Sequence, residues 1–177
     1  VTLFLVRHAM PEVNPGSDPA TWPLGSAGLA AARALIARQP AAALLVASNE
    51  PKSWQTLDPD GERMVVRDHR LGEVRRRDEF SDDFRRARRE YVSGKSVTGW
   101  EPQVDVASRF AAAVGEATRK AGHRDLVLAS HGMAMTVWLT HAIALPDPGG
   151  FWACLLFPDI FAVDLSAGTI GRVAEPG

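Results

Sequence analysis

Short apolar or β-branched runs alternate along this chain with segments whose apolar residues recur at helical spacing, and that alternation is what most narrows its possible folds. Residues 2–6, 42–47, 63–67 and 125–129 read as strands, the first, second and fourth with the near-continuous apolarity of strands buried on both faces of a sheet. Between them lie helical patterns. Leu29, Ala32 and Ile36 share a face over 27–38, where Ser26 is the expected cap and Pro40 the stop; residues 51–57 suit a short helix opened by Pro51. Val106, Phe110, Val114 and Ala117 stripe a helix over 104–121, with Asp105 and Arg109 as an i,i+4 pair on its outer face. A further apolar helix over 133–145 ends at Pro146. Strands alternating with helices predict an α/β fold, a three-layer α/β/α sandwich with a mostly parallel central sheet. The tail departs from the pattern: 152–157, 161–165 and 170–173 read as late antiparallel strands, separated by Pro158-Asp159 and a Ser-Ala-Gly turn.

A chain of 177 residues fits a single domain over 1–177, long enough to bury roughly two-thirds of its unfolded surface. The formal net charge of −1 supplies no field for wrapping a polyanion, so nucleic acid is not an expected partner. No apolar stretch approaches the ~20 residues that span a bilayer, and the six residues before Arg7 are too few for a signal-peptide core. The lone Cys154, inside an apolar run, is expected to be a buried inert thiol; with no internal disulfide available, a cytoplasmic location fits. His69, His123 and His141 lack metal-ligand spacing, so neither metal nor cofactor is expected.

In an open parallel sheet, ligands bind beyond the carboxyl ends of the strands. Three polar clusters fall there: Arg7-His8 after the first strand, Ser48 to Lys52 after the second, and Ser130-His131-Gly132 after the fourth. Two histidines, an arginine and a lysine meeting at one edge, with a helix N-terminus after Gly132, suit a dianionic phosphate.

In order along the chain, these and further residues form a larger pattern. Arg7-His8-Ala9 is followed by Asn14, then Pro23-Leu24 with Gly28, then Ser48 through Lys52 to Gln55-Thr56, Leu71-Gly72-Glu73 and Ser130-His131-Gly132. This set resembles the histidine phosphatase superfamily (branch 1), the phosphoglycerate-mutase-like group. The resemblance implies that His8 attacks phosphorus and becomes phosphohistidine, and that Arg7, Asn14, Lys52, His131 and Gly132 hold the phosphate. It further implies that Glu73 protonates the leaving oxygen and later helps water attack the phosphoenzyme. Two positions depart from the family pattern: Ala9 stands where glycine is usual, and Lys52 where a second arginine is usual, exchanging a planar two-pronged grip for a point charge.

The chemistry is sound on its own terms. Neutral imidazole is a good nucleophile near pH 7, and phosphoryl transfer needs positioned positive charge more than any metal-specific device. The expected reaction is metal-independent hydrolysis of a small phosphorylated metabolite. A mutase is the alternative, disfavoured by the short stretch between Glu73 and Val104; an inactive phosphate-binding module is a further one, suggested by Ala9 and Lys52. Glu79 is a substitute candidate for the acid. The arginine-rich run 75–89 reads as a salt-bridged surface helix, and Trp22 and Trp100, in loops, as the tryptophans best placed to stack on a substrate. Trp138 and Trp152 read as core.

Overall fold

Six strands make one sheet: β1 (Leu3–Arg7), β2 (Leu44–Ala47), β3 (Val65–Arg67), β4 (Leu126–Ser130), β5 (Asp159–Asp164) and β6 (Thr169–Arg172). Their order is β3-β2-β4-β1-β5-β6, with β3, β2, β4 and β1 parallel and β5 and β6 antiparallel. The computed structural model describes residues 1–77 and 83–174. Six helices accompany the sheet: α1 (Ser26–Ile36), α2 (Pro51–Leu57), α3 (Phe84–Val92), α4 (Gln103–Ala121), α5 (Gly132–Ile143) and α6 (Pro148–Ala153).

Alternation along each strand decides the layers. Leu3 and Leu5 of β1 with Leu126 and Leu128 of β4 join Phe110 and Val114 of α4 and Met135 and Trp138 of α5 in one core. Their neighbours Val6, Val127 and Ala129 point the other way, onto Leu35 of α1 and Leu57 of α2. The result is the expected three-layer α/β/α sandwich. Phe110 and Trp138 stack with ring centroids 5.0 Å apart; burying an aromatic of this size contributes about 1.5–3 kcal/mol. Among the described residues no helix is long and apolar enough to cross a membrane.

Several local expectations are corrected. Ser26 is the first residue of α1, not its cap; extended Gly25 precedes it with no side-chain cap. Residues 152–157 are not a strand. Asp147 accepts the Gly150 N–H at 2.8 Å and Pro148 opens α6, so a capped short helix takes the start of this apolar run. Cys154 closes that helix and is exposed, not buried. Helix α5 stops at Ile143, where Ala144 turns left-handed (φ 51°), before reaching Pro146. Arg109 pairs with buried Glu101 at 2.9 Å, not with Asp105. Its remaining donors reach the carbonyls of Arg70, Gly72 and Glu73 at 2.6, 2.9 and 3.1 Å, clamping the loop that leads from β3.

Candidate active site

Register brings the polar clusters together. Arg7 pairs with Ser130 across β1 and β4, and Ala47 with Ala129 across β2 and β4. The next residues, His8, His131 and Ser48, therefore emerge side by side at the carboxyl edge. The two imidazoles lie 5.0 Å apart by ring centroids, and His131 Nε2 is 2.9 Å from Ser48 Oγ. They border a cavity of about 650 Å³, which Arg7, Lys52, Glu73 and Gly132 also line, a size suited to a small metabolite.

His8 is held in one useful tautomer. Its Nδ1 lies 2.7 Å from the carbonyl oxygen of Ala9, which can only accept, so Nδ1 carries the proton and Nε2 the lone pair. Burial, then the charges of His131, Lys52 and Arg7, push its pKa well below the ordinary value, against the Ala9 carbonyl that raises it. The ring is thus neutral near pH 7.

Arg7 stacks over Phe157, its guanidinium carbon 3.4 Å from the ring centroid, and donates to the Leu155 carbonyl at 2.9 Å. Burial lowers its pKa to about 10, with Glu73 and Asp159 partly offsetting, so it stays protonated. Arg7 Nε and His131 Nδ1 are both buried without a hydrogen-bond partner among the described residues. Burial likewise pushes His131 down to about 3, Glu73's charge opposing. Gly132 is needed for close packing: a Cβ there would lie 3.2 Å from Arg7 Nε and 3.3 Å from Trp152 Nε1.

The turn after His8 explains the remaining motif residues. Thr56 Oγ1 accepts the Ala9 N–H at 2.8 Å, Gln55 Oε1 accepts the Leu24 N–H at 2.7 Å, and α1 approaches so closely that a Cβ on Gly28 would sit 2.3 Å from the Met10 carbonyl oxygen. Ala9 is fully buried, and Ala144 is the one non-glycine with positive φ among the described residues. The methyl of Ala9 therefore imposes no strain where glycine is usual.

Lys52 is buried and engaged: Nζ donates to the Pro19 carbonyl at 2.6 Å and to Glu50 Oε2 at 2.5 Å. Glu50 is the residue that sequence reasoning missed. It precedes α2 at the cap position, yet its side chain makes no cap and turns into the cavity. There Oε1 accepts the Glu73 N–H at 2.9 Å and lies 3.2 Å from His131 Nε2. Its place within the Ser48–Lys52 cluster was the available signal. Phe157, beneath Arg7, was hidden by the reading of 152–157 as a strand.

Glu73 lines the cavity, but its carboxylate faces the N-terminus of α5. Oε1 accepts the Val74 and Ala134 N–H groups at 2.9 Å each, and Oε2 the Met133 N–H at 3.4 Å. Burial opposes ionisation, yet neighbouring positive charge and the Val74 N–H hold its pKa below the usual carboxylate range. Asn14 is not brought into the cavity lining. It is exposed, its Oδ1 accepts the Gly16 N–H at 3.1 Å, and its carbonyl accepts from Trp22 Nε1 at 3.1 Å. Trp22 itself is buried and lines the cavity, whereas Trp100 packs against Tyr91 away from it. Glu79 lies outside the described residues, as do Asp78 and Asp82 of the charged run.

The sheet edge thus brings together a tautomer-fixed histidine, a second buried histidine and a partly buried arginine. Residues 3–155 match the histidine phosphatase superfamily (branch 1), and the chain belongs to that family. Among solved structures it is similar to mycobacterial hydrolase 1, at 25% identity and TM-score 0.68, covering 99% of each chain. It is similar also to mycobacterial glucosyl-3-phosphoglycerate phosphatase in its complex with VO3, at 25% identity and TM-score 0.65, covering 90% of this chain and 92% of that one. A mutant phosphoserine phosphatase from Entamoeba histolytica in complex with phosphoserine shares the fold at TM-score 0.73 and 14% identity, covering 98% of this chain and 95% of that one. No curated protein matches the sequence.

Proposed function

We propose that this protein is a metal-independent phosphatase that hydrolyses a small phosphomonoester through a phosphohistidine on His8. The observation that carries the proposal is the hydrogen bond from His8 Nδ1 to the Ala9 carbonyl, which leaves a neutral Nε2 lone pair beside Arg7 and His131. Attack by Nε2 on phosphorus displaces the ester oxygen while Arg7 and Lys52, which line the same cavity, offer positive charge to the phosphoryl oxygens. Water then attacks the phosphohistidine and releases phosphate. The cavity volume fits a small phosphorylated metabolite, and the named activities of the phosphatase relatives agree with hydrolysis.

The test is hydrolysis of 4-nitrophenyl phosphate in EDTA by the wild type and by His8→Ala, with acid-stable phosphate and alkali-stable phosphoprotein followed separately. Turnover that disappears in His8→Ala, with a labelled phosphoenzyme that decays in water, is expected. A phosphoenzyme that outlasts many turnovers would point to a mutase. Phosphate binding with no turnover in the wild type would point to a silent binding module.

A further inference from the structure

We propose that Asp159 and Arg172, an ion pair between the last two strands, are positioning residues for Arg7: together they hold the turn at residues 155–157 that orients the Arg7 guanidinium toward the phosphate. The inference rests on the phosphatase reading above, in which Arg7 meets the phosphoryl oxygens. Both residues lie beyond residue 155, where the match to the family ends.

The orientation of Arg7 is decided by that one turn. Among the described residues its guanidinium has one hydrogen-bond acceptor, the Leu155 carbonyl at 2.9 Å, and one stacking ring, Phe157, whose centroid lies 3.4 Å from the guanidinium carbon. A ring against its face sets the plane of a guanidinium, and one directed hydrogen bond sets its rotation within that plane. No carboxylate pairs with Arg7 among the described residues, and its Nε is buried without a partner. Moving the turn therefore moves the charge that the phosphate is to meet.

The turn is fixed on both sides of Leu155 by the two members of one ion pair. On one side, Arg172 Nη2 donates to the Cys154 carbonyl at 3.0 Å; on the other, Asp159 Oδ2 accepts the Leu156 N–H at 3.0 Å. The pair itself is two-pronged, with Arg172 Nε and Nη2 donating to Asp159 Oδ1 and Oδ2 at 2.9 Å each, a geometry that fixes direction as well as distance. Asp159 Oδ1 also accepts the Ile160 N–H at 3.1 Å. Every strong acceptor site of the carboxylate is thereby used, as its burial to 1% exposure requires.

Register places this network beside the site. Asp159 opens β5 directly opposite Arg7 of β1, and Arg172 stands opposite Phe161 where β6 ends. The side chain of Leu155 joins the core beneath the sheet, so the turn has one apolar anchor below and two polar ones flanking the carbonyl that receives Arg7. The late antiparallel strands thus reach the phosphate site through Arg7.

A double-mutant cycle separates positioning from plain stabilisation. Arg172, 44% exposed, is the member to replace. Arg172→Ala and Arg172→Lys are made with Arg7 intact and on an Arg7→Ala background, and kcat/KM on 4-nitrophenyl phosphate is read by single-turnover release of nitrophenol in EDTA, on protein shown folded by circular dichroism. With Arg7 present, Arg172→Ala is expected to lower kcat/KM by ~10²-fold, the effect of a misplacement of about 1 Å. Arg172→Lys, which keeps the charge but not the fork, is expected to lose less, and it carries the comparison where Arg172→Ala does not fold. On the Arg7→Ala background, with no guanidinium left to orient, the same substitutions are expected to change kcat/KM by no more than about twofold. A loss of equal factor on both backgrounds, or folded Arg172 variants with wild-type kcat/KM, overturns the positioning role and leaves the phosphatase reading intact. A wild type inert on the ester overturns that reading itself.

Discussion

Replacing Lys52 by methionine tests the cradle most directly, because it removes one member of a buried ion pair and keeps the side chain's volume. Lys52 and Glu50 approach to 2.5 Å with side chains only 8% and 15% exposed. Breaking a buried pair by removing one partner costs about 3–5 kcal/mol, since the other charge is left uncompensated. For a chain of this size each kcal/mol shifts Tm by about 2–4 °C, so Lys52→Met is expected to melt ~6–20 °C below wild type near pH 8. The deficit must depend on pH in a particular direction. Glu50's folded pKa is raised, chiefly by burial, so its neutral form contributes stability that is full below the ordinary carboxylate pKa and lost as pH rises through the raised value. Lys52 holds that value down, so its removal raises it further. The gap between variant and wild type should therefore be small in acid and widen toward pH 8. Circular-dichroism melts from pH 4 to 8 measure it, and the double variant with Glu50→Gln should recover most of the loss. A Lys52→Met protein that melts with wild type at pH 8, or whose deficit grows toward acid, would refute the buried pair.

Gly28→Ala places a methyl 2.3 Å from the Met10 carbonyl oxygen, an overpacking expected to cost about 1–3 kcal/mol; denaturant unfolding measures this, and an unchanged midpoint would show that α1 does not approach the His8 turn so closely. NMR titration of the imidazoles should find His131 neutral throughout pH 5–8 and His8 with a midpoint below the ordinary histidine value, because burial depresses both. A midpoint near 6.5 assigned to His8 would contradict the buried, carbonyl-bonded ring.

The sheet and its helices were legible because their signals are local. A continuous apolar run such as 125–129 or a stripe such as Val106, Phe110 and Val114 is complete within a few turns of chain, and burial of the matching face followed in the structure. The same local reading failed where two patterns competed over a short span. Residues 152–157 are apolar enough for a strand, but Asp147 and Pro148 start a helix just upstream, and helix α6 ends at Ala153.

Within the site, the sequence by itself singled out Arg7, His8, Lys52 and His131, because each falls where a strand delivers a polar residue to the carboxyl edge, while Glu73 came from the family resemblance alone. The tertiary structure alone decided how those residues divide the work. Strand register set the 5.0 Å spacing of the two imidazoles, and the loop held by Arg109 laid Glu73 against α5. It also turned Glu50 away from capping α2 and into contact with Lys52 and His131. A carboxyl group's protonation depends on charges and amides that arrive from distant parts of the chain, and no window of sequence contains them.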